Sequence, residues 1–348
     1  MRDSGLTKAG LDLWALAKRL ISIPSVTGEE GDLADFLKDY LSKLGLEVVE
    51  QAVEGRRRNI LASAGRSPRV LLCTHQDTVP PAIPFSEDED YLYGRGACDA
   101  KGIMAAMILA FQALPPQTRP ACGLLFLVGE ETDSLGAQRA DGLDVRPDFI
   151  IVGEPTENKL GLGHKGYLAA RISAQGQKAH SGYPQLGRSA ILKLMEVLQR
   201  LQNLDLGRNP ILGSSSLNIG RIEGGVAANV VPDRAWAEIS IRSVRPSRDI
   251  LAEVKAAAAD KAEVEVLSVS EPQELAIVPG FETVVLSYST DIPYLKSFGR
   301  PLLLGPGSIH QAHTDQERMP KSQMREAVAL YQNLVGRLLA EPAAGGRK

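Results

Sequence analysis

Three short, uninterrupted apolar runs constrain the fold of this chain more than any other feature. They are Val70–Cys73, Leu124–Val128 and Phe149–Val152. Runs of this kind suit strands that are buried on both faces, as in a parallel sheet covered by helices. A helical stretch from Gly102 to Leu114 lies between the first run and the second. This strand–helix–strand order predicts an α/β fold with a mostly parallel sheet.

The patterning changes at His164. Apolar and polar residues alternate along 167–174, and an amphipathic helix is expected over 191–201. Strands around 216–222 and 235–241, a helix after Pro246 and a strand at 264–267 follow. This β-α-β-β-α-β order is that of a ferredoxin-like unit. We therefore predict a catalytic domain formed by residues 1–163 and 269–348, and an inserted α+β domain over residues 164–268.

Local patterns predict two further features of the N-terminal part. Thr27–Glu30 has the spacing of a capping box, and the apolar residues after it recur at helical intervals until Gly45. Arg56, Arg57 and Arg58 lie between two apolar runs and are expected at a solvated hairpin tip.

In the C-terminal part, an amphipathic helix is expected at 324–338.

Charge and hydropathy exclude several classes of protein. The chain has 39 Lys and Arg against 42 Asp and Glu, so it lacks the basic excess of a nucleic-acid-binding surface. Its longest apolar stretch, Ile103–Leu114, is shorter than the ~18–20 residues of a membrane-spanning helix. Three cysteines without C-x-x-C spacing favour a reducing compartment. We expect a cytoplasmic protein with neither nucleic-acid nor membrane partners.

Histidines and carboxylates follow the predicted buried strands. They are His75 with Asp77, the pair Glu130–Glu131, and Glu154, and to these the chain adds Asp99 in a glycine-flanked turn and the distant His313. Each has an ordinary structural interpretation: H-x-D is a common structural pair, and an aspartate just before a helix, like Asp99, is typical of an N-cap. Together they would gather at the carboxyl edge of one sheet, where open α/β folds place their sites.

Two histidines and several carboxylates form a nitrogen and oxygen ligand set that suits zinc or a similar divalent ion. Two ions bridged by one carboxylate would use the following residues: His75, Asp99, Glu131, Glu154 and His313. Glu130 is then left as a free base, which hydrolysis by metal-activated water requires. The pattern therefore predicts a di-metal hydrolase.

The same motifs resemble one known family. They are His75-x-Asp-x-Val-Pro, Gly94-Arg-Gly-x-x-Asp-x-Lys-Gly, Gly129-Glu-Glu, Gly153-Glu-Pro-Thr, Ala179-His-Ser-Gly and Gly305-Pro-Gly-Ser with Ala312-His. In this order they are similar to those of the di-zinc amidohydrolases that include acetylornithine deacetylase, succinyl-diaminopimelate desuccinylase, aminoacylase and glutamate carboxypeptidase. The resemblance runs from about residue 12 to residue 338.

The resemblance implies a role for each matched position. Asp99 would bridge two zinc ions, His75 and Glu154 would complete the shell of one ion, and Glu131 and His313 that of the other. Zinc is the metal it favours, with Co²⁺ or Mn²⁺ as alternatives. Glu130 would be the general base, and the Asp77 carboxylate would support His75. These roles imply a zinc-exopeptidase-like catalytic domain.

The inserted domain would be the lid of this family, through which a homodimer forms. His180 would then reach into the partner subunit's site and stabilise the oxyanion. Asn229, Arg242 and Gly307 match positions that contact the substrate. We expect His310 either to contact the substrate or to be an ordinary surface residue, and His164 to have a structural role.

Substrate signals are mixed. The 305–313 segment is similar to the acetylornithine deacetylase branch, whereas Asp99-Ala100-Lys101-Gly102 looks more like the hydrolase that frees lysine or ornithine from an amino-group carrier protein. We expect deacylation of N-acyl amino acids, with acetylornithine first. A carrier-protein hydrolase or a dipeptidase or carboxypeptidase is the alternative, and a non-catalytic metal-binding homodimer is a third hypothesis.

Overall fold

The computed structural model describes residues 12–343. The chain divides into two compact units. The first contains the described residues up to Leu162, the segment Leu275–Val284 and the described residues from Thr290 onwards. The second contains Gly163–Glu274 and Val285–Ser289.

Within the described residues, the helices are α1 (Leu13–Ile21), α2 (Gly31–Lys43), α3 (Lys101–Ala113), α4 (Leu135–Arg139), α5 (Ala190–Gln202), α6 (Ser247–Ala258) and α7 (Lys321–Ala340). The strands of the same region are β1 (Glu47–Glu54), β2 (Arg57–Ser63), β3 (Val70–His75), β4 (Ser86–Glu87), β5 (Tyr91–Tyr93), β6 (Cys122–Leu127), β7 (Phe149–Val152), β8 (Leu160–His164), β9 (Gly166–Gln175), β10 (Ala179–His180), β11 (Arg208–Asn209), β12 (Gly213–Ser214), β13 (Ser216–Gly224), β14 (Val230–Val231), β15 (Arg234–Ser243), β16 (Ala262–Ser270), β17 (Gln273–Glu274), β18 (Thr283–Leu286), β19 (Arg300–Leu303) and β20 (Arg318–Pro320).

A six-stranded sheet in the order β1-β2-β6-β3-β7-β19 organises the first unit. Strands β6, β3, β7 and β19 run parallel, and the hairpin of β1 and β2 adds two antiparallel strands at one edge. Alternate residues of the parallel strands, such as Leu72, Leu124 and Ile151, share one core with α1, α2, α3 and α7. The predicted α/β class is confirmed.

Helix α3 is apolar around its circumference, and eleven of its residues, Lys101–Phe111, are buried. A helix of this composition belongs in the interior of a protein. It runs from the end of the Asp99 turn across the sheet and packs against α1, α7 and strands β3 and β6. The helix therefore anchors that turn at the edge of the sheet.

Two local predictions were wrong, and both errors come from tertiary pairing. Helix α2 begins at Gly31 without a side-chain cap, because the Thr27 hydroxyl donates instead to Asp77 Oδ2 at 2.8 Å. Arg57 is not solvated: it is buried and forms an ion pair with Glu30, which is also buried. Arg56 does remain exposed in the turn between β1 and β2. The buried pair joins the N-cap residue of α2 to the first residue of β2.

The second unit contains a four-stranded antiparallel sheet in the order β13-β15-β9-β16. Helices α5 and α6 pack on one face, and Leu168, Ile172 and Ile239 contribute to the core between the helices and the sheet. This arrangement follows the β-α-β-β-α-β order along the chain, so the predicted ferredoxin-like insertion is confirmed. Among the described residues, no helix is both long and apolar enough to cross a membrane.

Candidate metal centre

The parallel strands bring the predicted ligands to one edge of the sheet. His75 is the last residue of β3, Glu131 follows β6 after a short turn, and Glu154 follows β7. Because β6, β3 and β7 are neighbours and run in the same direction, their carboxyl ends lie side by side. His313 comes from the segment between β19 and β20, where its φ of 62° turns the backbone sharply.

The ligand atoms form two groups that share Asp99. His75, Asp99 and Glu154 form the first group, and Asp99, Glu131 and His313 the second; within each group the atoms lie within 4.8 Å of one another. Asp99 Oδ1 is 3.0 Å from His75 Nε2, and Asp99 Oδ2 is 3.4 Å from His313 Nε2. One carboxylate thus faces a histidine on each side, and it is not the helix N-cap, which is Ala100.

The charges of the centre fit two divalent cations. Burial, together with the negative charge of Asp99, raises the pKa of Glu154 well above its usual range. Hydrogen bonds to Asp99 and Glu131 raise the pKa of His313 to about 10. Burial opposes ionisation of Asp99, but hydrogen bonds from His313 and His75 outweigh it and lower the pKa. Clustered carboxylates and imidazoles of this kind are the donors that zinc and related ions take.

Asp77 organises the loops around the first group. Its Oδ1 accepts the backbone N–H of Gly129 and of Glu130, each at 3.0 Å, and its Oδ2 accepts that of Glu131 at 3.1 Å. The Thr27 hydroxyl donates the fourth hydrogen bond that this carboxylate accepts, to Oδ2. The carboxylate is buried, and four donors satisfy it.

His75 is oriented by the backbone of Asp77. Its Nδ1 lies 2.9 Å from the Asp77 carbonyl oxygen and 3.5 Å from Asp77 Oδ1. A carbonyl can only accept, so Nδ1 carries a proton, and this leaves Nε2 as the ring nitrogen available to a metal ion. The sequence predicts support from the Asp77 carboxylate; Nδ1 lies within 3.5 Å of that carboxylate, and its shorter contact is to the Asp77 carbonyl.

Glu130 stands beside the two ligand groups and belongs to neither. Its carboxylate accepts no hydrogen bond from any residue of the described chain. Burial and the nearby charge of Glu154 raise the pKa of Glu130 well above its usual range. A carboxyl group of raised pKa next to two groups of candidate metal ligands is suited to proton transfer.

The other predicted site residues are placed as follows. Gly307 lies in the first unit, where its N–H donates to Gln323 Oε1 at 2.8 Å and its φ is 88°. A Cβ there would lie 2.6 Å from Cys98 Sγ, so the position has no room for a side chain. His180, Asn229 and Arg242 lie in the second unit.

Within the second unit, His180 and Asn229 are neighbours, because strand β10 pairs with β14 and Ser181 N–H donates to the Asn229 carbonyl. His180 is exposed, and its Nδ1 accepts the N–H of Gly182 at 3.1 Å. Arg242 is partly buried and stacks on the Tyr167 ring, 4.4 Å from its centre. None of the described carboxylates lies within ion-pair distance of Arg242.

Two contributors to the centre were missed by sequence reasoning. Thr27 was assigned to a helix cap, and Glu317 received no role although it follows His313 by four residues. Glu317 is buried, and its Oε1 accepts the N–H of Cys98 and of Asp99. The spacing from His313 was the one signal for Glu317, and none marked Thr27. Of the two histidines set aside, His310 is exposed and His164 is buried, which lowers its pKa to about 4.

The sequence is similar to known proteins over nearly its whole length. Residues 162–267 match the family model of a peptidase dimerisation domain. A peptidase M20 domain-containing protein of Schizosaccharomyces pombe is 42% identical over 344 residues, which cover 95% of this chain and 86% of that protein. A protein of Aspergillus clavatus named "Probable carboxypeptidase" is 38% identical, with 93% of this chain and 82% of that protein covered.

Solved structures share the fold. A tripeptidase of Staphylococcus aureus superposes with a TM-score of 0.78 at 24% identity, covering 94% of this chain and 98% of that one. A Bacillus subtilis protein described as a dinuclear metal-binding peptidase of the M20 family gives a TM-score of 0.69 at 16% identity, covering 94% and 97%.

Fold and site together define a metal-dependent hydrolase that acts on amide bonds. The chain belongs to the peptidase M20 family, as its similarity to the S. pombe protein over nearly its whole length shows. The resemblance to the broad di-zinc amidohydrolase family, inferred from the motifs, is thereby confirmed.

The Thr27–Asp77 hydrogen bond predicts a measurable loss in Thr27→Val. The substitution keeps the branched shape but removes a donor to a buried carboxylate, which costs about 1–3 kcal/mol. Urea unfolding of the chelator-treated protein should show this loss. Thr283→Val is the control, because Thr283 is exposed in β18. A loss no larger than that of the control would contradict the role of Thr27.

Proposed function

We propose that this protein hydrolyses the amide bond of small substrates that carry a free carboxylate next to that bond, using two divalent metal ions and Glu130 as general base. The observation that carries the proposal is the sharing of Asp99 by two ligand groups while Glu130 lies beside them in neither group. N-acyl amino acids and the C-terminal bond of short peptides both present this substrate chemistry.

The ligands divide as the two groups do. His75 and Glu154 would hold one ion and Glu131 and His313 the other, with Asp99 between them. The donor set favours Zn²⁺, with Co²⁺ or Mn²⁺ as alternatives. When bound, two such ions lower the pKa of water and polarise an amide carbonyl.

Glu130 performs the proton transfers. Its carboxylate, free of hydrogen bonds from the described residues, takes a proton from the attacking water and then delivers it to the leaving nitrogen. The second transfer is needed because an unprotonated amine is a poor leaving group. Asp77 holds the backbone of Gly129, Glu130 and Glu131, so the base and a ligand move as one unit.

The second unit supplies His180 to the partner subunit of a homodimer. The matching dimerisation-domain model supports this assignment. Because His180 Nδ1 accepts a hydrogen bond from Gly182, its Nε2 carries the proton and is free to donate. A donor aimed at the developing oxyanion lowers the barrier to its formation.

Arg242 is the group that we assign to the substrate carboxylate, with Asn229 and Gly307 as further contacts. A guanidinium with no carboxylate partner among the described residues is available for an external one. Acetylornithine remains the first N-acyl substrate to test. The carboxypeptidase name of the Aspergillus relative favours dipeptides, and release of lysine or ornithine from a carrier protein is a further alternative.

Glu130→Gln should retain two metal ions per chain and lose about 10²–10⁴-fold in kcat, because the amide cannot act as a base. Elemental analysis and steady-state hydrolysis measure the two quantities. The matched control is Glu29→Gln, an exposed glutamate that precedes α2. Turnover near the wild-type value in Glu130→Gln would contradict the assignment.

Mixing two inactive variants tests whether His180 acts across the dimer. Glu130→Gln and His180→Ala should each be nearly inactive alone. Random dimers of the two should recover about a quarter of the wild-type activity, because half of the dimers are mixed and each has one intact site. If His180 acts within its own chain, or not at all, mixing restores nothing beyond the average of the two variants.

Arg242→Met should lower kcat/KM for N-acetyl amino acids and dipeptides by about 10–100-fold, the effect of losing a charged hydrogen bond. When the carboxylate of these substrates is converted to an amide, kcat/KM of the wild-type protein should be low. The variant should have the same kcat/KM as the wild type on these amides. Arg248→Met, at an exposed position, is the control. Equal losses on acid and amide substrates would contradict carboxylate binding by Arg242.

A further inference from the structure

A buried carboxylate lies directly behind the shared ligand Asp99. Glu317 precedes β20, and its side chain is only 1% exposed. Its Oε1 accepts two consecutive backbone N–H groups, that of Cys98 at 3.0 Å and that of Asp99 at 3.1 Å. The carboxylate therefore fixes the backbone from which the Asp99 side chain projects.

The second oxygen of Glu317 is held by Arg95. Arg95 Nη1 donates to Glu317 Oε2 at 2.7 Å and also approaches the carbonyl oxygen of Thr314 at 3.2 Å. Arg95 Nε donates to the Pro81 carbonyl at 3.1 Å. Because Thr314 follows His313 directly, this pair of charges connects the Asp99 turn to the turn that carries His313.

The location of the pair indicates its use. Burying an ion pair gives little net stability, because the desolvation of both charges offsets their attraction. Here the pair supports the one residue that belongs to both ligand groups, whose two oxygens face His75 and His313. A shift of the Asp99 backbone would move both oxygens at once. Outer partners of metal ligands commonly change metal affinity by about 10–100-fold.

We propose that Glu317, held by Arg95, is a positioning residue for the two-metal centre. It fixes the position of Asp99 relative to the turn that carries His313. The inference rests on the proposed function in so far as Asp99 bridges two ions. Glu317 acts through the backbone N–H groups of Cys98 and Asp99.

Two double variants separate this role from a purely structural one. Glu317→Leu with Arg95→Met removes both buried charges and leaves the two N–H groups without an acceptor. Glu317→Gln with Arg95→Met also removes both charges but returns an amide oxygen to accept them. The control is Asp148→Leu with Arg69→Met, which removes an ion pair of the same unit (2.7 Å) located where β3 and β7 begin, at the opposite edge of the sheet.

The measurement is calorimetric titration of Zn²⁺ into the full-length, chelator-stripped protein, with thermal unfolding of the same samples and kcat and KM at saturating Zn²⁺. We expect the Leu/Met variant to bind Zn²⁺ about 10–100-fold more weakly than the wild-type protein. The Gln/Met variant should recover most of that affinity, and the control should bind like the wild type. In the Leu/Met variant kcat should fall more than KM changes.

Each outcome decides one claim. A folded Leu/Met variant with the Zn²⁺ affinity of the wild type would overturn the positioning role. A Gln/Met variant whose Zn²⁺ affinity falls as far as that of the Leu/Met variant would overturn it too. A wild-type protein that binds two ions but cleaves no amide would contradict the proposed function, while the affinity comparison would still decide the role of Glu317. A wild-type protein that binds no divalent ion would overturn both.

Discussion

The candidate site depends first on the buried carboxylate of Asp77. Three consecutive N–H groups, from Gly129 to Glu131, converge on it, and Thr27 adds a hydroxyl from a segment that precedes α2. The same residue offers its carbonyl to His75. Asp77, through its side chain and its backbone, thus connects the ends of β3 and β6. The location of the base Glu130 depends on this connection, because its N–H donates to Asp77.

Much of the fold followed from sequence periodicity. The buried runs that became β3, β6 and β7 are too apolar for any exposed element, and their order with α3 left an α/β sheet as the consistent solution. Alternation along β9 and β15 likewise identified a sheet with one covered face. The metal-ligand candidates could be identified because polar residues directly after such strands must meet at one edge.

What the sequence did not show are the buried polar pairings between distant segments. Thr27 with Asp77, Arg57 with Glu30 and Glu317 with Arg95 join residues separated by 50, 27 and 222 positions. Such pairs have no period, and each member looks like an ordinary surface or capping residue. A local rule therefore placed Thr27 in a helix cap and Arg57 in solvent, where tertiary contacts overrode both.

The position of the second unit within the chain has a consequence for biosynthesis. His75, Asp99 and Glu154 all precede Gly163, where that unit begins, whereas His313 follows it. During synthesis, every ligand of the first group is therefore translated before the second unit. The second group lacks its third ligand, His313, until the second unit has been translated, although Asp99 and Glu131 are already part of the chain. The two halves of the centre are completed at different times, separated by the translation of a whole folding unit.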